Sequence, residues 1–144
     1  MIGRGRWEGK ITSPSLSLEA DGAGVPQPLL LAGVDLDLLA ISLDGQPLAD
    51  QAFAITDQGL TLLQPPAGAF VLKTLVRLEP QANTSLEGLY VSGGMVTTQC
   101  EAEGFRRITF HPDRPDVLSC FRVRLEADLE TYPVLLSKIG RAHV

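Results

Sequence analysis

Apolar and polar residues alternate in short runs along most of the chain, and turn-forming residues separate the runs. Alternation with a period of two is typical of strands with one buried face, whereas a helix repeats its apolar positions every three to four residues. The clearest run spans 70–78, and the side chains predicted to share its buried face are Phe70, Leu72, Thr74, Val76 and Leu78. Shorter runs lie at 16–20, 29–31, 36–43, 53–55, 60–63 and 117–128. The pattern predicts an all-β, antiparallel fold of the saddle or sandwich kind.

Turn signals support this antiparallel arrangement. Asp44-Gly45 lies between two apolar runs and predicts a tight hairpin, because type I′ turns need positive φ at both central residues. Asp57-Gln58-Gly59 predicts a second turn, and Pro80 ends the run before it. Residues 81–105 are rich in glycine and are predicted to be mostly loop, and 107–110 is predicted to be a short strand or a turn.

Composition narrows the class of protein. The chain has 144 residues, 44% hydrophobic and 20% charged, which fits one globular domain with a real core. Its formal net charge of −5 disfavours nucleic-acid and anionic-membrane partners, since both attract a basic face. No run approaches the roughly 20 apolar residues of a membrane span, and no apolar signal-peptide core follows the N-terminus. We therefore expect a cytoplasmic protein, in which a disulfide between Cys100 and Cys120 is disfavoured and buried free thiols are the alternative.

The second half of the chain contains blocks that are more specific than these patterns. They read Asn-Thr-Ser-Leu-Glu-Gly-Leu-Tyr at 83–90, Ser-Gly-Gly at 92–94, Thr-Gln-Cys-Glu-Ala-Glu-Gly-Phe-Arg-Arg-Ile-Thr at 98–109, Asp-Arg-Pro-Asp-Val at 113–117 and Tyr-Pro-Val-Leu-Leu-Ser at 132–137. In this order they resemble the N-terminal domain of the bacterial aminopeptidase N family, zinc metallopeptidases of the gluzincin type. A weaker match at 36–48 extends the resemblance, which covers about residues 28–137.

The resemblance implies a β-saddle domain from which a loop reaches the active site of a following thermolysin-like domain. The family's substrate-amine residues in that loop map onto Gln99 and Glu101. An aminopeptidase must recognise a free α-ammonium, and a carboxylate that is otherwise unpaired can do so. Gln99 can add a neutral acceptor through its side-chain oxygen. The partner implied is a peptide substrate bound through its free N-terminus.

The catalytic machinery of that family is absent from this sequence. There, zinc is held by a His-Glu-x-x-His helix and a distant Glu, and the metal activates water. This chain has two histidines, His111 and His143, and neither belongs to such a motif. The Gly-x-Met-Glu-Asn exopeptidase motif is missing as well. The resemblance thus implies part of a zinc aminopeptidase similar to membrane alanyl aminopeptidases, with no catalytic residue and no metal ligand in this chain, which is expected to be inactive by itself.

The two ends depart from the family pattern. Residues 1–27 match it poorly and are expected to contribute at most part of the first strands, which leaves a sheet edge open to aggregation. Residues 138–144 match nothing in the family, and we expect them to be an artefactual tail on a truncated reading frame.

Two charged features of the central block have structural interpretations. Glu103 is predicted to pair with Arg106 or Arg107 rather than to bind substrate. The segment 113–116, Asp-Arg-Pro-Asp, is predicted to be a turn held by an Arg–Asp pair.

Cys100 and His111 invite a catalytic interpretation that we disfavour. A catalytic cysteine needs a base such as histidine, and His111 would have to fold back to reach Cys100. His111, next to Pro112, is predicted to be an exposed loop residue.

Three classes of function remain open at this point. The first is an enzyme part that supplies Gln99 and Glu101 to an aminopeptidase. The second is a stand-alone β-sandwich module that binds a peptide N-terminus or a carbohydrate. The third is an interaction domain whose face packs on the missing catalytic domain, and it predicts exposed apolar side chains in isolation.

Overall fold

A computed structural model describes residues 27–119, 121, 123, 125–128 and 130–135. The predicted run at 16–20 and the expected tail at 138–144 lie outside this part of the chain, as does almost all of the poorly matching segment 1–27. The elements in chain order are β1 (Leu29–Ala32), β2 (Asp37–Leu43), β3 (Gln46–Pro47), a first 3-10 helix (Asp50–Ala52), β4 (Phe53–Thr56), β5 (Gly59–Leu62), β6 (Leu72–Arg77), β7 (Gly88–Ser92), β8 (Met95–Gln99) and a second 3-10 helix (Phe105–Arg107).

The strands form two three-stranded sheets and a separate hairpin. The first sheet has the order β1-β5-β4, the second has the order β3-β2-β6, and β7 pairs with β8. Every strand pairing is antiparallel. The prediction of an all-β antiparallel fold is therefore confirmed.

The Asp44-Gly45 hairpin also forms as predicted. Both residues have positive φ, 47° and 83°, and Leu43 pairs with Gln46 across the turn. The turn is tied to the start of β6 because the Val71 amide donates to Asp44 Oδ1 at 2.8 Å. Asp44 therefore has two roles: it adopts the positive φ that the turn requires, and its carboxylate fixes the turn against the neighbouring strand.

The core lies between the two sheets and confirms the alternation of 70–78. All five side chains predicted for the inner face are buried. Four of them are apolar, and Phe70, Leu72 and Val76 belong to one cluster with β1, β5 and Phe110. The members of that cluster from the first sheet are Leu31, Leu60 and Leu62.

Phe110 and His111 bring the segment after the second 3-10 helix against the first sheet. The His111 amide donates to the Ala32 carbonyl at 3.1 Å in an isolated antiparallel bridge. Gly33 leaves room for the Phe110 ring, since a Cβ there would lie 2.4 Å from it. The prediction that His111 is exposed is wrong: it is 8% exposed, because this bridge draws it under the domain surface.

Two sequence predictions of secondary structure differ from the structure. The stretch 81–105, predicted to be mostly loop, contains the β7–β8 hairpin, which turns at Gly93 and Gly94 with φ of 56° and 80°. The run 117–128, predicted to be a strand, has no strand at any of its described positions. Side-chain alternation alone does not form a strand, because the backbone also needs a neighbour with which to hydrogen-bond.

Candidate functional site

The loop 99–104 carries the two residues that the resemblance singles out. It leaves the open end of the β7–β8 hairpin, where Gln99 pairs with Gly88. The Gly104 amide closes the loop by donating to the Cys100 carbonyl at 3.2 Å. A Cβ on Gly104 would lie 3.0 Å from both Cys100 Cα and the Gln99 carbonyl oxygen. Glycine therefore allows the loop to fold back on its own first residues.

Gln99 and Glu101 lie close together at the surface of this loop. Both are exposed, and Gln99 Nε2 donates to the Glu101 carbonyl oxygen at 3.4 Å. Within the described part of the chain, the Glu101 carboxylate has neither an ion-pair partner nor a hydrogen-bond donor. This arrangement leaves an acidic group free to accept a cation.

Glu103, two residues further along, is already paired. Its Oε2 accepts from Arg106 Nη2 at 2.9 Å, which confirms the predicted structural pairing. Glu103 has a φ of 62°, a left-handed conformation that side chains other than glycine seldom adopt. The ion pair and the loop closure hold it there.

Arg106 joins the loop to the turn at 113–116. Its Nε and its backbone amide each donate to Asp113 Oδ2 at 3.0 Å, and its Nη2 donates to the Asp113 carbonyl at 2.9 Å. The predicted Arg–Asp pair of the turn is also present, since Arg114 Nη2 lies 2.9 Å from Asp116 Oδ2. The predicted turn is thus confirmed, but its first aspartate pairs outside it, with Arg106.

Arg107 holds the hairpin from the other side. Its Nη1 lies 2.6 Å from Asp35 Oδ2, and its Nε lies 3.4 Å from Glu87 Oε2. Its Cβ packs against Gly88, where an added Cβ would come within 2.4 Å. The two adjacent arginines therefore have different partners: Arg106 holds the loop, and Arg107 holds the hairpin.

Asn83 orders the segment that leads into the hairpin. Its Nδ2 donates to the carbonyls of Glu87 and Leu89 at 2.7 and 2.9 Å, and its Oδ1 accepts from the Ser85 amide at 3.0 Å. An amide side chain can donate and accept hydrogen bonds at the same time, so Asn83 can take the place of backbone hydrogen bonds in this short loop.

Cys100 is a half-buried free thiol. Burial raises its pKa, and the negative charge of Asp113 raises it further. The thiol is therefore neutral and weakly nucleophilic near neutral pH. Cys120, the other half of the disfavoured disulfide, lies outside the described residues.

His111 belongs to a cluster of three rings with Phe105 and Phe121. Its ring centroid lies 5.0 Å from that of Phe105 and 5.6 Å from that of Phe121. Burial lowers its pKa, and the charge of Asp113 opposes that shift. The raised pKa of the thiol and the lowered pKa of the imidazole are opposite to the shifts of an activated thiolate–imidazolium pair.

Asp113 is the site residue whose role sequence reasoning misses. The sequence pattern assigns it to its own turn, whereas its carboxylate binds Arg106. No local signal marks a pairing across an irregular segment of this kind. The hairpin that presents the loop does have a signal, because Gly93-Gly94 lies between two β-branched and aromatic runs.

The described residues contain no group of three or more His, Cys, Asp or Glu side chains that could hold a metal ion. No helix in the same part of the chain is long and apolar enough to cross a membrane.

Comparisons with known proteins agree with the resemblance of residues 83–137 to one family. The model of the Peptidase M1 N-terminal domain matches residues 60–143, more than half of the chain. Aminopeptidase N of Caulobacter vibrioides is 50% identical over 125 residues, which are 87% of this chain and 14% of that protein. Aminopeptidase N of Escherichia coli is 43% identical over 114 residues, 79% of this chain and 13% of that protein.

A solved structure shows the same architecture. The crystal structure of Legionella pneumophila aminopeptidase A, in complex with aspartic acid, matches with a TM-score of 0.72 and 30% identity, over 81% of this chain and 13% of that one. The chain thus spans only 13–14% of the length of these relatives. Its sequence blocks, antiparallel architecture and relatives together identify it as a member of the Peptidase M1 N-terminal domain family.

Proposed function

We propose that this domain supplies the α-amine anchor of a zinc-dependent aminopeptidase, with Glu101 binding the substrate ammonium and Gln99 assisting it. Peptides with a free N-terminus are the substrates, and the enzyme removes their first residue. Anchoring the amine fixes which peptide bond reaches the catalytic centre.

The observation that carries this proposal is the contrast between two carboxylates in one short loop. Glu103 is bound by Arg106 at 2.9 Å, whereas Glu101 is exposed and has no cationic partner among the described residues. The ion pair with Arg106 assigns Glu103 a structural role. An unpaired carboxylate at the tip of a folded loop suits a ligand that brings its own positive charge.

Gln99 adds the second acceptor. Its Nε2 donates to the Glu101 carbonyl, which leaves its Oε1 free to accept from a ligand. An ammonium group offers three donors, so a carboxylate and an amide oxygen side by side satisfy two of them.

The hydrolytic step belongs to the part of the enzyme that this chain does not include. His111 clusters with the rings of Phe105 and Phe121, and the described residues offer no set of metal ligands. Zinc, when bound by the whole enzyme, supplies an activated water. We propose that residues 28–137 form the amine-anchoring domain and that the chain alone hydrolyses nothing.

The catalytic domain is the proposed partner of an exposed apolar segment. Six large apolar side chains described between 118 and 135 are exposed, namely Leu118, Phe121, Val123, Leu125, Val134 and Leu135. This exposure supports an interaction domain and argues against the stand-alone binding module, since such patches on a monomer mark interfaces. A cytoplasmic location is part of the same proposal, and the free thiol of Cys100 suits that reducing compartment.

Substitution of Glu101 in the complete enzyme tests the proposal. In the complete enzyme we expect the catalytic domain and the bound substrate to bury Glu101. Loss of one partner of a buried charge pair costs about 2–5 kcal/mol, so Glu101→Gln should lower kcat/KM on aminoacyl substrates at least about 30-fold. Glu101→Ala should raise KM and lower kcat while zinc content, measured by atomic absorption, stays unchanged.

Glu79→Gln, which removes an exposed carboxylate elsewhere on the domain, is the matched control and should leave the kinetics unaltered. Wild-type kinetics in the Glu101 variants would exclude the amine-anchor assignment. Hydrolysis by the purified 144-residue chain with added zinc would exclude the claim that it is inactive alone.

A further inference from the structure

We propose that Arg106 is a positioning residue of the amine site, which holds the loop 99–104 in place by binding Glu103 and Asp113 together. This inference rests on the proposed function, because it explains how Glu101 is kept in register. Arg106 itself does not touch the substrate.

The contacts of Arg106 link the loop 99–104 to the turn at 113–116. One guanidinium donates to Asp113 Oδ2 through Nε, and to the Asp113 carbonyl and Glu103 Oε2 through Nη2, all at 2.9–3.0 Å. The backbone amide of Arg106 adds a fourth bond, to Asp113 Oδ2 at 3.0 Å. Charge-assisted bonds of this kind are stronger than neutral ones, and the planar guanidinium fixes their directions.

Burial makes this pair more than a surface contact. The Asp113 side chain is 13% exposed, so water and salt screen its attraction to Arg106 less than that of an exposed pair. The nearby pair of Arg114 and Asp116 is different, with both side chains 67% exposed. The two pairs therefore give a matched comparison between a partly buried and an exposed interaction in adjacent positions.

The loop needs such a support because little else fixes its tip. Glu103 adopts the disfavoured left-handed conformation, with φ of 62°. A single backbone bond, from the Gly104 amide to the Cys100 carbonyl, closes the described loop. Without Arg106, Glu103 is free to relax, and Glu101, two residues away, moves with it.

The expected kinetic effect follows from the geometry of binding. A displacement of about 1 Å in a positioned group can cost about 100-fold in rate. In the complete enzyme, Arg106→Gln should lower kcat/KM by about 10- to 100-fold. Arg106→Lys should recover only part of this, because an ammonium cannot make the same forked contacts. Arg114→Gln should leave kcat/KM unchanged.

A pair of inhibitors separates positioning from general instability. A competitive inhibitor with a free α-amine and its des-amino analogue are titrated against the wild type and each variant. Partial unfolding of the enzyme lowers the affinity for both inhibitors equally, or lowers only the fraction of active enzyme. Loss of positioning in Arg106→Gln should weaken the amine inhibitor selectively, by about the factor seen in kcat/KM.

Alkylation of Cys100 gives a readout that does not depend on activity. In the 144-residue chain with Cys120→Ser, Cys100 is the remaining thiol. Arg106→Gln should accelerate its reaction with iodoacetamide, because the loop opens. Loss of the Arg106 charge by itself favours the neutral thiol, so faster alkylation requires that the loop opens and exposes Cys100. Circular dichroism confirms that both chains are folded before the comparison.

The outcomes distinguish the two proposals. The first readout is the preference for the amine inhibitor over its des-amino analogue, and the second is the alkylation rate of Cys100. If Glu101→Gln removes that preference and Arg106→Gln changes neither readout, the positioning role is refuted and the amine anchor stands. If Glu101→Gln leaves the preference intact, the proposed function fails, while the alkylation rate still decides whether Arg106 holds the loop. If Arg106→Gln lowers the affinity for both inhibitors equally, Arg106 only stabilises the domain and does not position the amine site.

Discussion

Replacing Gly88 with alanine tests how the hairpin that presents the candidate site is held. Gly88 begins β7 with a φ of 71°, and an added Cβ would lie 2.4 Å from Arg107 Cβ. Neither atom is at the end of a flexible side chain, so the backbone of one segment must move. Gly94 provides a control in the same hairpin, because its φ is 80° and a Cβ added there would meet nothing within 4 Å.

The two substitutions share one energetic cost and differ in another. A non-glycine residue with left-handed φ costs about 1–2 kcal/mol, and both variants should lose that much stability. Overpacking against a fixed neighbour costs typically about 1–3 kcal/mol more, and only Gly88→Ala meets such a neighbour. We therefore expect Gly88→Ala to be less stable than Gly94→Ala by about 1–3 kcal/mol.

Urea denaturation of the chain, followed by circular dichroism, measures this difference. With a slope of about 2 kcal/mol per molar urea, the two midpoints should differ by about 0.5–1.5 M. Arg107→Gly removes the obstructing Cβ and should rescue Gly88→Ala in a double-mutant cycle, whereas Arg107→Ala retains the Cβ and should not. Both Arg107 variants lose the ion pairs to Asp35 and Glu87 equally.

Equal midpoints for Gly88→Ala and Gly94→Ala would refute this reasoning. Such a result would mean that the hairpin moves freely relative to the second 3-10 helix. A rescue by Arg107→Ala as large as that by Arg107→Gly would mean that the ion pairs, not the close packing, limit the tolerance of position 88.

Two further predictions concern pH and the core. Burial lowers the pKa of His111 below its usual 6.5, so the unfolded chain binds more protons than the folded chain, and the free energy of unfolding should fall as pH drops below about 6.5. His111→Phe keeps the aromatic packing and should flatten this pH dependence in urea titrations between about pH 7 and 5. An unchanged dependence of the unfolding free energy on pH in that variant would contradict the prediction. Leu60 is 0% exposed, and Leu60→Ala should cost about 2–5 kcal/mol of unfolding free energy. Leu118→Ala, at a position 95% exposed, should change it by less than about 0.5 kcal/mol, and comparable losses would refute the placement of the core.

The candidate site can be predicted in part. The loop containing Gln99 and Glu101 is found through a block of residues that resembles one family, not through periodicity or composition. The sequence predicts that Glu103 pairs with Arg106 or Arg107, and the structure shows that the partner is Arg106. The contact between Arg106 and Asp113 could not be predicted, because it depends on how two irregular segments fold against each other.

Sequence alone determined which side chains of 70–78 face inward, because a strand alternates its faces whatever it packs against. It also determined the turn at Asp44 and Gly45, because positive φ is a local requirement that few residues meet. Only the tertiary structure decided that His111 is buried and that the described part of 117–128 is not a strand. Burial and strand pairing both require a neighbour from a distant part of the chain. A local pattern shows that a segment is suited to such a neighbour but not that the fold supplies one.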